Sequence, residues 1–209
     1  MRKATHSYPV KILKLKDFAT GQNHLEQAAR LIQLSMPDFY AVLPGSESER
    51  IALIISQIAT EGTECHDPQV VVMDDEVVGI ISAFSTSELA ARQQSGVATL
   101  ARAFDRDQRK PLLRAIAQIT GTNEPIQDDN GSYIARVAID PACQGMGTGR
   151  LVLQNVFETA ASPVSLHVDR LNTGAIMFYR QLGFEFQSDG DWTKRVMIAS
   201  RPPKCDAAE

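Results

Sequence analysis

Apolar and polar positions change rhythm several times along this chain, and each change marks an element. Val10-Lys11-Ile12-Leu13-Lys14-Leu15 alternates as a first strand does, after which Leu25, Ala28, Ile32 and Met36 recur at helical spacing. Ser46-x-x-Glu49 has the form of a capping box, and Ile51, Ile54, Ile55 and Ile58 behind it give a second helix its apolar face, with Gly62 marking the end. The runs 69–73 and 77–85 are rich in Val and Ile and are separated only by a short polar turn, which predicts a β-hairpin. Residues 86–131 carry no strong strand signal. There Leu89, Ala90, Val97, Leu100, Leu112, Ile116 and Ile119 predict a helical insertion over one face, broken by Gly96 and Pro111.

The second half is more regular. Asn130-Gly131 is a turn dipeptide leading into a strand over 133–139, which Asp140-Pro141 stops. An apolar helical run begins at Leu151 and extends to about Ala161, where Ser162-Pro163 breaks it. Residues 164–168 then read as a buried strand, completing a strand–helix–strand unit of the parallel kind. Asn172 is placed to cap a further helix that packs Ala175, Phe178 and Leu182 inward and ends at Gly183. The runs 184–187 and 192–199, turning around Asp189-Gly190, form a closing hairpin. Residues 1–200 are therefore expected to form one α/β domain, with 201–209 a loose tail.

Between the strand at 133–139 and the following helix lies Gln144-Gly145-Met146-Gly147-Thr148-Gly149. Glycines keep no Cβ between the backbone and a guest, so consecutive N–H groups can converge on one point. The start of the helix adds unsatisfied amides and the positive end of its dipole, a combination suited to a phosphate or pyrophosphate. Three nucleotide motifs compete for this loop. In a Rossmann fingerprint the third small residue would fall at 150, where this chain has Arg150, despite the acidic Asp169 after the next strand. A methyltransferase sheet would need several more strand–helix units than the roughly 60 residues after the loop provide. A Walker loop would need Gly-Lys-Ser/Thr, which does not follow.

Composition narrows the classes further. The 209 residues are 44% hydrophobic, enough for a full core, and Lys+Arg 21 against Asp+Glu 25 gives a net charge of −4 without the basic runs that nucleic-acid binding requires. Cys65, Cys143 and Cys205 are odd in number and widely spaced, matching neither a disulfide framework nor a C-x-x-C metal pair. Met1-Arg2-Lys3 precedes polar residues rather than an apolar signal core, and the apolar runs are too short to span a bilayer. The expectation is a cytoplasmic protein with no membrane or nucleic-acid partner and no metal.

Two segments resemble the GCN5-related N-acetyltransferase (GNAT) superfamily. Val137-Ala138-Ile139-Asp140-Pro141 leading into Gln144-x-x-Gly147-x-Gly149 looks like that family's Q/R-x-x-G-x-G/A acyl-CoA loop. Leu166-His167-Val168 through Asn172, then Ala175-Ile176-Met177-Phe178-Tyr179 and Leu182-Gly183-Phe184, looks like its C-terminal signature. The resemblance implies a GNAT-like fold: a central mixed, twisted sheet of about seven strands, helices on both faces, and the helical insertion between strands 3 and 4. It implies that the backbone from Gln144 through Gly145, Met146, Gly147, Thr148 and Gly149 holds the CoA pyrophosphate, with Arg150 following, while Val137, Ala138 and Ile139 lie along pantetheine. It puts Asn172 on the cofactor, and makes Tyr179, two helical turns further, the acid that protonates the departing sulfur. Parting of the fourth and fifth strands would open a thioester slot, with amides near Ala138 for the oxyanion.

The implied function is transfer of an acyl group, acetyl before others, from acetyl-CoA directly to a small-molecule or peptide amine. A CoA-binding sensor that transfers nothing is the alternative. A homodimer is compatible with the sequence, which does not choose the acceptor. Nor does it single out a base among Glu88, Glu124, Asp128, Asp129, His167 and Asp169, and His167 on a strand reads first as a satisfied sheet residue. Cys143 beside the loop has no His–acid partner set by sequence and reads as a spectator.

Overall fold

The computed structural model describes residues 10–18, 21–128 and 130–200. The chain opens with strand β1 (Lys11–Lys14) and helices α1 (Gln22–Ser35), α2 (Pro37–Ala41) and α3 (Glu47–Ala59). The hairpin β2 (Gln69–Met73) and β3 (Glu76–Ser85) follows, then helices α4 (Leu89–Arg102) and α5 (Arg106–Thr120). β4 (Ser132–Ile139), α6 (Thr148–Thr159), β5 (Val164–Asp169) and α7 (Thr173–Gln181) come next, and β6 (Glu185–Phe186) and β7 (Lys194–Ala199) close the sheet. The seven strands lie in the order β1-β2-β3-β4-β5-β7-β6. Among the described strands only the β4–β5 pair is parallel, so the sheet is mixed, as expected for the GNAT-like fold.

Local chemistry accounts for most boundaries. The Ser46 hydroxyl accepts from the Glu49 amide and the Glu49 carboxylate accepts from the Ser46 amide, so the capping box at α3 is closed in both directions. Gly96 and Pro111 do not break the insertion; each lies inside a helix, and the interruption falls at 103–105, where Asp105 Oδ1 caps α5 by accepting from the amides of Asp107 and Gln108. Gly96 is kept because α3 packs close, with Gln57 Nε2 donating to its carbonyl at 3.2 Å. Pro111 removes one helical bond on an exposed face of α5, where the freed carbonyl is open to solvent rather than buried. The short α2 has too few residues for a periodic signal, yet it buries Phe39 and Tyr40.

The sheet separates two apolar clusters. On one face Val70, Val72, Val77 and Ile80 pack with residues of α1, α3, α4 and α5; on the other Val71, Ile81, Ile134, Leu166 and Val168 pack with α6 and α7. β4 does not alternate cleanly between them. Arg136 pairs with Ser82 and Ile134 with Ala83, leaving Ala135 as an extra residue, a β-bulge. That residue brings Tyr133 and Arg136, three positions apart, onto the same face. Pairing of β4 with β5 covers Ser132 to Ile134 against Val164 to Leu166 and stops where the bulge bends the strand, although both strands continue. The continuations are held from behind, β4 by β3 and β5 by β7, so a gap opens between them.

Candidate active site

The glycine loop lies at the mouth of this gap. Asp140 Oδ1 accepts from the Ala142 amide and shapes a short 3-10 turn over Pro141–Cys143. Gly145 and Gly147 then adopt φ of +75° and +84°, left-handed values that a side chain resists. A Cβ built on either would meet nothing within 4 Å, so backbone conformation, rather than crowding, calls for glycine. α6 begins at Thr148, earlier than its apolar run, and its N-cap Gly147 offers no side chain to the first amides. An uncapped helix start under open space is what a pyrophosphate needs. The residues present therefore fit a bound CoA.

The other loop residues divide their tasks. Gln144 donates from Nε2 to the Ile139 carbonyl at 3.0 Å, tying the loop to the end of β4. Met146 is exposed, Thr148 is buried, and Arg150 is half-buried beyond the turn. At Gly149 a Cβ would come within 3.1 Å of the Phe178 ring, so this glycine lets α7 pack against the start of α6. Val137, Ala138 and Ile139 line the open stretch of β4. Because the Asp140 amide bonds Val78 on β3, ladder alternation turns the Ala138 amide toward β3 and those of Val137 and Ile139 toward the gap. The amides that face the gap are thus the neighbours of Ala138. A separate groove of about 820 Å³, lined by Leu31, Leu34, Val77, Asp140 and Cys143, lies on the β3 side.

α7 delivers the phenol. Asn172 caps the helix, Oδ1 accepting from the Ala175 amide at 3.0 Å, which is the local role its sequence position predicts. Tyr179 follows on the inward face, 8% exposed and held in edge contact with Phe184. Burial pushes its hydroxyl up to about 12. It is therefore protonated throughout the neutral range, as a proton donor must be.

Sequence alone missed the polar cluster on the opposite face of the gap. Tyr133 Oη meets His167 Nδ1 at 2.9 Å, and His167 Nε2 meets the Glu124 carbonyl at 2.6 Å. A carbonyl only accepts, so Nε2 carries the hydrogen and Nδ1 accepts from the phenol. Burial lowers the imidazole below its ordinary value, helped by the positive charge of Lys194. Arg136 Nη2 bonds Glu64 Oε2 at 3.0 Å in a largely buried pair beside Tyr40 and Cys65. Tyr133 could be found only by knowing which strand edge opens.

The candidate acids are mostly accounted for. Glu124 is buried, its carboxylate accepting from Gln187, Ser188 and the Val196 amide. Asp169 accepts from the Leu171 amide, Asp128 from the Asn130 amide, and Glu88 pairs with Arg92 at 2.7 Å. Asp129, Cys205 and the tail lie outside the described residues. Burial and Asp140 raise the Cys143 thiol, which opposes a nucleophilic thiolate. Among the described residues there is no group of three or more His, Cys, Asp or Glu that could hold a metal ion, and no helix long and apolar enough to cross a membrane.

Known structures share this fold. A crystal structure of an acetyltransferase aligns with TM-score 0.60 at 20% identity, covering 91% of this chain and 98% of its own. An N-acetyltransferase from Staphylococcus aureus Mu50 aligns with TM-score 0.64 at 18% identity, covering 85% and 98%, and an acetyltransferase from Thermus thermophilus with 0.55 at 13%, covering 91% and 96%. Identities this low establish the shared fold alone. No curated protein matches the chain. The sequence model of the acetyltransferase (GNAT) family matches residues 28–184, three quarters of the chain, including the glycine loop, Tyr133, His167 and Tyr179, and the chain belongs to that family.

Proposed function

We propose that the protein transfers an acetyl group from acetyl-CoA to a primary amine, without a covalent enzyme intermediate. The observation that carries this reading is the gap between β4 and β5, opening beside a loop whose Gly145 and Gly147 leave clear space above uncapped amides. When bound, the thioester supplies an activated acyl carbon. The amides of Gly145 to Gly149 would hold the diphosphate, with Arg150 and Asn172 at its margins, and the gap-facing amides of Val137 and Ile139 would stabilise negative charge on the acyl oxygen. Tyr179 holds a proton at Oη for the leaving thiol. Half-buried Cys143, with its raised thiol, takes no part.

Purified protein should retain acetyl-CoA and, with a panel of primary amines, release free thiol. Retention without discharge to any amine would mark a binding module instead. Loss of retention would remove the loop from the coenzyme altogether.

A further inference from the structure

We infer that Tyr133 and His167 form the proton acceptor for the incoming amine, with Tyr133 Oη the receiving atom and His167 Nδ1 the destination. The inference rests on the acyltransfer reading above. Tyr133 sits one position before the last rung of the β4–β5 ladder, and His167 is the first residue of β5 beyond that rung. Their hydrogen bond therefore spans the two strands where they part. The Tyr133 ring stands edge-on to His167 and against Phe84, and the phenol is near enough to Tyr179 for the two to interact electrostatically. Tyr179 packs in the α7 cluster on one face of the sheet, and Tyr133 faces the other.

Their partners give the phenols opposite duties. No hydrogen-bond partner among the described residues takes the Tyr179 proton, whereas the Tyr133 proton already points at a basic nitrogen. When an ammonium N–H bond breaks, its proton moves to Tyr133 Oη while the phenolic proton moves to His167 Nδ1. The phenol stays neutral, the amine gains its lone pair, and the charge ends on the imidazole. That cation keeps both N–H donors satisfied, by Tyr133 Oη and by the Glu124 carbonyl, and later returns its proton to solvent. Around the ring, Lys194 on β7 opposes the charge, while Glu124 before β4 and Glu64 ahead of β2 favour it. The described acids considered as bases are committed elsewhere, to turns, to an ion pair or to buried hydrogen bonds.

The test has two parts. In nitrogen-labelled histidine spectra of the wild type near pH 7, His167 should be neutral with its hydrogen on Nε2, and Tyr133→Phe should shift only Nδ1 of that ring. A cationic ring, or a hydrogen on Nδ1, overturns the relay. With acetyl-CoA and primary amines of graded basicity, Tyr133→Phe and His167→Gln should lose about 100-fold in kcat/KM near pH 7 while retaining the coenzyme. The loss should shrink at alkaline pH and for weakly basic amines, which are already deprotonated. A loss equal at every pH and for every amine would show a structural role and overturn the relay. Wild-type discharge matched by both variants rejects the relay alone; wild type that binds but discharges to no amine rejects the acyltransfer reading and the relay with it.

Discussion

At the scale of single residues, burial sets proton positions. Tyr179 is lifted to about 12 by desolvation, so its proton is retained well beyond the alkaline limit of ordinary assays. Turnover should therefore show no descending limb from this group between about pH 8 and pH 10. Tyr179→Phe should cut kcat by about 100-fold with little change in coenzyme affinity, and unchanged turnover would remove Tyr179 from the acid role. His167 has the opposite linkage. Its folded value lies below the ordinary imidazole value of about 6.5, so the unfolded chain takes up a proton first as pH falls. The stability this gives is present above about pH 6.5 and is lost below it, down through the folded value. Chemical denaturation of wild type and His167→Gln across that range should show a flatter pH dependence in the variant.

At the scale of elements, two close approaches hold the gap in place. Gly131 feeds β4 against the 163 carbonyl: the Ser132 amide bonds it at 2.9 Å, and a Cβ on Gly131 would lie 2.0 Å from it. Backbone cannot yield there as a flexible side chain does. Gly131→Ala should cost about 2–3 kcal/mol, lowering Tm by about 5–10 °C. Glu124 fixes the segment between α5 and β4 to β7 through its carboxylate and its amide, and the same residue presents its carbonyl to His167. Glu124→Ala would strand the buried Val196 amide at about 1–3 kcal/mol, and the half-buried Gln187 and Ser188 donors at less, so thermal melting should fall clearly below that of wild type. Both elements at the gap were legible in sequence as strands, because β4 and β5 are rich in branched apolar residues. The bulge at Ala135 was not, since it is defined by pairing with Ser82 and Ala83 on a distant strand and one unpaired residue leaves no local pattern.

At the scale of the whole molecule, one sheet serves two cores. The α1–α5 side and the α6–α7 side share strands, so loss of either exposes the other face, and unfolding is expected to be a single transition. Leu100, buried in the insertion helix α4, tests this: Leu100→Ala should cost about 3 kcal/mol and lower Tm without splitting the melt. A separate early transition would make the insertion an independent unit. The insertion contributes to the site mainly through its exit, where the segment after α5 bridges to β7 at Asn123 and Lys194 before entering β4. Of its two helices, α4 lies on α3 and α5 lies on α4.

The sequence by itself determined the order of elements, the glycine loop between a strand and a helix, and the helix that carries Tyr179, because these depend on local periodicity, capping and spacing; the mixed sheet was implied by the family resemblance. The boundaries of the insertion helices, the strand-splitting bulge and the meeting of Tyr133 with His167 were decided only by tertiary structure. Those features depend on register between strands distant in the chain. A shift of one residue in pairing changes which side chain faces which, and no local pattern encodes it.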